Sequence, residues 1–405
     1  MMQADVAIIG AGPAGLAAAA HLGLMGVKNI VVLEREAEPG GIPRHCGHSP
    51  FGMREFRRVL GGASYARRLA ARAEGAGARI LCNTTVTALH PGPKLELTGP
   101  DGAERLSARV VLLATGTRES SRVQRMIGGQ KPGGILTTGA LQGIVHLNHQ
   151  RPFRRPVILG TELVSFSALL TCRQAGIRPV AMIEPGARVV ARAGAAVLPL
   201  LLGVPVLRET RITGILGRDR VEGVVIDGPG GPREIAADGV LLTGAFRSEA
   251  TLMAAAGMVL DPRTTGPEID VFGRLAESGY FAAGNLLRPV ETAGMCWASG
   301  RRVADAIAVH LTGGLPCPAQ GLPLRIDAPA IRYALPQILF PAGPGFHKTI
   351  QLRVSRPVSG ELRLSQGGDL IARQPIRALP ERRVTLPIPR KLGEGPLSLD
   401  IEEDA

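Results

Sequence analysis

Gly10, Gly12 and Gly15 form a GxGxxG run, Gly10-Ala11-Gly12-Pro13-Ala14-Gly15, directly after the apolar stretch Val6-Ala7-Ile8-Ile9. Each glycine has its own task around a pyrophosphate. The first permits a tight strand-to-helix turn, the second lets the backbone approach the ligand, and the third lets the helix pack on the sheet. The start of the following helix supplies free N–H groups and a partial positive charge. Glu34 closes a second apolar stretch, Ile30 to Leu33, and can accept hydrogen bonds from a ribose diol. Strand, glycine turn, small-residue helix, second strand and terminal acid follow in the order that a dinucleotide site requires, so the stretch predicts dinucleotide binding rather than a Gly-rich turn.

The second group with chemical potential is Arg44-His45-Cys46-Gly47-His48, just after Gly40-Gly41. Cys46 could act as a redox thiol, and His45 or His48 as a proton donor. Alternatively, the basic side chains hydrogen-bond cofactor phosphates or a partner protein. Dithiol chemistry is not expected, because Cys46, Cys82, Cys172, Cys296 and Cys317 contain no CxxC and no cluster-like spacing. The His-Cys-Gly-His run lacks a fourth zinc ligand, so no metal is expected. Met295-Cys296-Trp297 reads as packing, and Arg151-Pro152-Phe153-Arg154-Arg155-Pro156 as a solvated linker.

The elements that must position these residues follow one plan used twice. After Glu34 come a helix, roughly Ser64 to Gly75, a strand Arg79 to Cys82, a β-meander that includes Val86, and a buried strand Val110 to Leu113 ending in Ala114-Thr115-Gly116. The order then repeats. A strand ends at Gly160, a helix runs from Leu163 to Ala175, and a strand Pro179 to Ile183 ends on Glu184; a meander and the strand Val240-Leu241-Leu242 follow. Aligning the repeats places Glu162 opposite Gly12 and Ser165 opposite Gly15. A carboxylate in that turn crowds a pyrophosphate and repels it, so the second site is expected to be degraded, although a modified loop with Glu184 on a ribose is the opposing reading. Gly284 and Asn285 end a returning strand, and a helix runs from Glu291 to Leu311. Short alternating runs past Pro316 suggest a small all-β sandwich. The predicted fold class is therefore α/β, with two Rossmann-like dinucleotide-binding domains plus a C-terminal β-sandwich. The expected boundaries are 1–118 and 246–315 for a discontinuous first domain, 119–245 for the second, and 322–405 for the sandwich.

Composition narrows the function classes. Hydrophobic residues at 45% of 405 allow a large core, and aromatics at 3% are too few for a base-stacking platform. The net charge of +13 is spread along the chain without a nucleic-acid motif, so it reads as solvated surface, with an acidic partner or anionic substrate as the second option. No signal peptide is recognisable and no stretch approaches the ~18 apolar residues of a membrane span. A soluble cytoplasmic protein is the expectation.

The glycine run, Glu34, Ala114-Thr115-Gly116 and the stretch Phe281-Ala282-Ala283-Gly284-Asn285, in that order, resemble the two-dinucleotide-binding-domain flavoproteins, which include the pyridine nucleotide–disulfide reductases and thioredoxin reductases. The resemblance covers about residues 4 to 312. It implies non-covalent FAD at Gly10, Gly12, Pro13, Ala14, Gly15, Glu34, Arg35, Gly41, Val86, Ala114, Thr115, Gly116, Gly284, Asn285, Thr292 and Ala293. Asn285 stands where the family usually has an Asp on the ribityl chain. The helix that starts near Thr292 would face the flavin pyrimidine edge. Narrower similarity lies in GGIPRHCGH, LATGTRE, GGILTTGALQ and GTELVSFSALL, which resemble FAD-bearing subunits of multi-subunit amine, opine and hydrogen cyanide-forming dehydrogenases. Those relatives often carry a Cys cluster after the second flavin segment, and this chain does not. The resemblance implies an electron-transferring subunit that works with a second flavoprotein dehydrogenase, and with a 2Fe–2S protein as a further candidate. Amino acids, opines or glycerol 3-phosphate are the candidate substrates. A stand-alone NAD(P)H-dependent flavin reductase and a non-catalytic FAD-stabilised scaffold are the rival readings.

Overall fold

Ile30–Leu33 is buried at all four residues, as a strand covered on both faces must be. It pairs in parallel with Met2–Ile9, which pairs in parallel with Gly102–Leu113. The computed structural model describes residues 2–191, 193–343 and 345–404. Arg79–Leu81 extends this sheet beyond Ile30–Leu33, and Tyr280–Ala282 joins its other side, in parallel on Val111 to Leu113. The early half of Gly102–Leu113 bends into an antiparallel meander with Lys94–Gly99 and Thr85–His90. Helix Pro13–Leu24 carries Ala17, Ala18 and Ala19 buried, and these small side chains let it sit between the sheet and helix Ala293–Leu311. The approach is close: a Cβ on Gly300 would stand 2.0 Å from the Ala14 carbonyl oxygen.

The plan recurs in a second parallel sheet, ordered Val206–Leu207, Ala181–Ile183, Pro156–Leu159, Gly239–Leu242 and Ile135–Thr137. Its helix is Leu163–Gln174, the counterpart of Pro13–Leu24. The chain crosses between the two units through the antiparallel pair Thr117–Glu119 and Phe246–Ser248. The terminal segment forms a five-stranded and a three-stranded sheet. Val358–Gln366 alternates buried and half-buried along its length, so one face turns to a core that includes Ile350, Leu352, Leu397 and Leu399. That core is continuous with Val271, Phe272, Val303 and Ile307 of the first unit. Arg188 adds a bidentate ion pair to Glu381, at 2.7 and 3.1 Å, between the second unit and the terminal sheets.

The α/β class with two Rossmann-like sheets and a C-terminal β-structure is thus observed. The helix expected from Ser64 begins at Gly62, and the helix expected from Glu291 begins at Ala293. No helix among the described residues is long and apolar enough to cross a membrane.

Candidate functional site

Gly10 leaves its strand with φ +104°, and a Cβ there would meet the Ala114 carbonyl oxygen at 2.6 Å. A Cβ on Gly15 would stand 2.0 Å from the Gly10 carbonyl oxygen, so the helix lies directly on the turn. Gly12 differs, since a Cβ there would meet nothing within 4 Å. It is also the N-cap of Pro13–Leu24 and supplies no side-chain cap, which leaves the first-turn N–H groups for a ligand. Gly41, at φ +59°, borders the same opening, with its Cβ position 2.9 Å from Gly12 Cα. The buried Glu34 carboxylate accepts the Ala11 N–H at 2.9 Å and the Glu36 N–H at 3.0 Å, which ties the glycine turn to the end of the second strand. From the neighbouring strand, Ala114 donates its N–H to Ile9, and the Thr115 hydroxyl donates to the Glu249 carbonyl at 2.7 Å.

The returning segment closes this end of the sheet. The Cβ position of Gly284 lies 2.8 Å from Ala14 Cβ. Asn285 clamps its own loop: Oδ1 accepts the Glu291 N–H at 2.8 Å, and Nδ2 donates to the Glu291 carbonyl at 3.1 Å. Thr292 caps helix Ala293–Leu311 through its backbone, without a side-chain cap bond. The structure therefore gathers Gly10, Gly12, Pro13, Ala14, Gly15, Glu34, Gly41, Ala114, Thr115, Gly116, Gly284 and Asn285 around one end of the first sheet, with Thr292 and Ala293 at the adjoining helix start. Arg35 is largely exposed and pairs loosely with Glu36 at 3.8 Å, and Val86 is buried in the meander core.

The equivalent loop of the second unit is filled by protein. Glu162, opposite Gly12, accepts the Ala245 N–H at 2.9 Å, and its carboxylate lies against Gly244. Glu119 accepts N–H groups from Gly139 at 3.0 Å and Gly244 at 3.1 Å, and burial pushes its carboxyl above the usual range. Arg125 donates to the Thr243 and Gly244 carbonyls at 2.8 and 2.7 Å. Ser165, opposite Gly15, sits 2.5 Å from the Thr243 hydroxyl. Glu184 is taken up by the Thr161 hydroxyl and by the Gly186 N–H. A second pyrophosphate would meet this carboxylate-lined turn instead of bare backbone.

The Arg44–His48 loop is a joint between the two units. A Cβ on Gly47 would strike the His146 ring at 2.2 Å, and Gln174 donates to the Gly47 carbonyl at 3.2 Å. Cys46 is buried, within hydrogen-bond distance of the Ile42 carbonyl (3.5 Å) and of Gln142 Oε1 (3.6 Å), and burial pushes its thiol up to about 12. A thiol held protonated at neutral pH is a poor nucleophile. His45 lies 3.4 Å from Arg44, and Arg44 pairs with Glu36 and Glu38 at 3.7 and 3.5 Å, so His45 belongs to the side of Glu34. His48 instead stacks on Phe51 with ring centroids 5.4 Å apart. Each candidate thus has its own neighbour: Arg44 for His45, Gln142 for Cys46 and Phe51 for His48. A Cys46→Ser variant should leave redox cycling of a bound cofactor intact; loss of a charge-transfer band together with activity would restore a thiol role.

Burial lowers the pKa of His45, His48 and His146, and His146 is lowered further by His48 and His149. A folded-state pKa below the unfolded value of 6.5 means that the unfolded chain binds the extra protons. The stability contributed by these histidines is therefore full above 6.5 and lost as pH falls below it. We expect Tm to drop as pH falls below 6.5, and the drop to shrink in His48→Gln; an identical drop would exclude the joint as its source.

The chain matches the pyridine nucleotide-disulphide oxidoreductase description over residues 4–318. It belongs to that family. Among curated relatives, it is 29% identical over 185 residues to an opine oxidase subunit of Rhizobium meliloti (strain 1021), covering 45% of this chain and 39% of that protein. It is 24% identical over 384 residues to the alpha subunit of sarcosine oxidase from the same organism, covering 86% of this chain and 35% of that protein. The chain thus spans well under half the length of both. A solved structure, the thioredoxin reductase of T. acidophilum, shares the fold with a TM-score of 0.64 at 20% identity, over 76% of this chain and 99% of that one.

Of the two loops, the first keeps bare backbone: glycine where a Cβ has no room, open space at Gly12, and the buried Glu34 carboxylate at the end of the second strand. His146 and Arg125 stand outside any motif and gain their places only when the two units fold together, and Glu119, although it ends LATGTRE, carries no role that the sequence shows. No group of three His, Cys, Asp or Glu among the described residues could hold a metal ion.

Proposed function

We propose that the chain is an FAD-dependent, electron-transferring subunit of a larger dehydrogenase or oxidase that acts on an amino acid, opine or glycerol 3-phosphate-like substrate. The carrying observation is the contrast between an open glycine turn at Gly12 and a turn filled by Glu162. Family membership supports a flavin in the first, and the filled turn argues against NAD(P)H as the donor at the second. The names of both curated relatives describe subunits, which supports a partner here. We assign the FAD-binding unit to 1–118 and 246–315, the degenerate unit to 119–245 and the β-sandwich to 322–405.

A bound flavin would accept electrons in pairs and release them singly. The residues of this chain do the holding. The N–H groups that open helix Pro13–Leu24 would take the pyrophosphate, Glu34 the adenosine ribose, Asn285 the ribityl chain, and the start of helix Ala293–Leu311 the pyrimidine edge. A second flavoprotein is the proposed donor, with a separate 2Fe–2S protein as the further carrier, in the cytoplasm. A stable interface would bury on the order of 1,600 Å² in total, and the net charge of +13 favours an acidic partner. Pull-down from the native source, followed by dye reduction with the chain alone and with the captured assembly, tests this. Substrate-dependent reduction should require the assembly; full turnover by the chain alone contradicts it.

A further inference from the structure

The loop from Asn285 to Thr292 and the terminal β-sheets enclose a group of cations that neither glycine turn uses. Arg288 is 1% exposed, yet its Nε and Nη1 have no hydrogen-bond partner among the described residues. The Tyr333 hydroxyl, 1% exposed as a residue, and His347 Nε2, 6% exposed, are buried in the same condition. Arg302 Nε, on helix Ala293–Leu311, is also unpartnered. The backbone brings them together: Tyr333 pairs with Arg353, which reaches the Val290 carbonyl two residues from Arg288, and His347 donates its N–H to Val271, two residues from Gly273, whose Cβ position lies 2.9 Å from Val303, the residue after Arg302.

The nearby carboxylate is already engaged. Glu291 accepts from Gln351 at 2.9 Å and lies 3.4 Å from Arg353 and 3.6 Å from Arg383. Glu291 acts on Arg288 only through space, so Arg288 and Arg302 have no carboxylate hydrogen-bonded to them, in a place where a partly compensated charge is still costly. Burial and the neighbouring arginines push Arg302 down to about 10 and His347 to about 3, so His347 is neutral at pH 7.

We propose that Arg288, Arg302, Tyr333 and His347 form an internal receptor for a small oxyanion group, a carboxylate or a phosphate. A guanidinium fork matches either group with paired donors. The phenol adds another donor, and a neutral imidazole adds one through its Nε2–H tautomer. The receptor is coupled to the loop of Gly284 and Asn285, because Arg353 Nη2 donates to the Val290 carbonyl at 2.7 Å and Glu291 is clamped by Asn285. Its side chains lie outside the glycine turn, but Arg288 sits between Asn285 and Thr292, so the receptor adjoins the proposed flavin site and is tested with the glycine turn blocked.

The test uses the purified full chain, melted at constant ionic strength in chloride, in inorganic phosphate and in succinate. At least one oxyanion should raise Tm by about 3 °C or more over chloride at concentrations far above its Kd. The rise should persist in Gly12→Val, which separates this receptor from phosphate binding at the glycine turn. It should vanish in Arg288→Met. In the conservative Tyr333→Phe the oxyanion should bind about tenfold more weakly, and this variant carries the test should Arg288→Met not fold. A phosphate-only response assigns a phosphoryl ligand, and a succinate-only response a carboxylate. No oxyanion-specific rise, or an equal rise in Tyr333→Phe, overturns the receptor.

Discussion

Gly12→Val should give a folded chain that no longer holds its dinucleotide. The backbone at Gly12 has φ −81° and ψ −176°, a conformation open to any residue, and its Cβ would enter free space. Folding should therefore survive. The branched side chain, however, would stand over the first-turn N–H groups where a pyrophosphate must approach within hydrogen-bond distance. Affinity should fall at least about 100-fold, equivalent to roughly 2.8 kcal/mol. Gly15→Val is the informative contrast, because its Cβ would collide with the Gly10 carbonyl oxygen at 2.0 Å and the helix could not seat. Circular dichroism and released-nucleotide assay of the two variants separate the cases. Full nucleotide occupancy in Gly12→Val would count against the assigned opening.

The second large effect concerns electron input. Mixed anaerobically with excess NADH or NADPH, the isolated chain should show flavin bleaching slower than about 0.1 s⁻¹, below the usual turnover range of about 1–1,000 s⁻¹. The reason is local. Glu162 lies on Gly244 and accepts the Ala245 N–H, and Glu119 and Arg125 occupy the surrounding backbone. A nicotinamide dinucleotide would have to displace this set and bring its phosphates beside carboxylates. Glu162→Gly should remove part of the obstruction, so weak nicotinamide binding should emerge in titrations of that variant. Rapid stoichiometric bleaching of the wild type would overturn the reading and restore a stand-alone reductase.

Much of this was legible because the determinants are local. The GxGxxG spacing, the apolar strand and the acid at its end follow directly from what one turn of backbone and one ribose require. The internal repeat, which sets Gly160 opposite Gly10, marks Glu162 and Ser165 as misfits in the sequence itself. What stayed hidden depends on contacts between distant segments. The order of residues shows Arg44–His48 only as a group with reactive side chains; that Gly47 packs on His146 and Cys46 on Gln142 of the other unit appears only in the fold. Nothing in the order of residues marks Arg288, because its burial requires the terminal sheets to fold back over the loop that carries it.

The most direct measurement of the central claim is the identity and number of nucleotides carried per chain. Wild-type protein should be purified without added cofactor, denatured by heat or acid, and its supernatant resolved by chromatography with absorbance and mass detection. One FAD per chain, released without a covalent remnant, and no NAD(P), is the expected result of an open first loop and a filled second one. A chain that carries no flavin and cannot be reconstituted with FAD, or one that releases a stoichiometric nicotinamide dinucleotide, would contradict it.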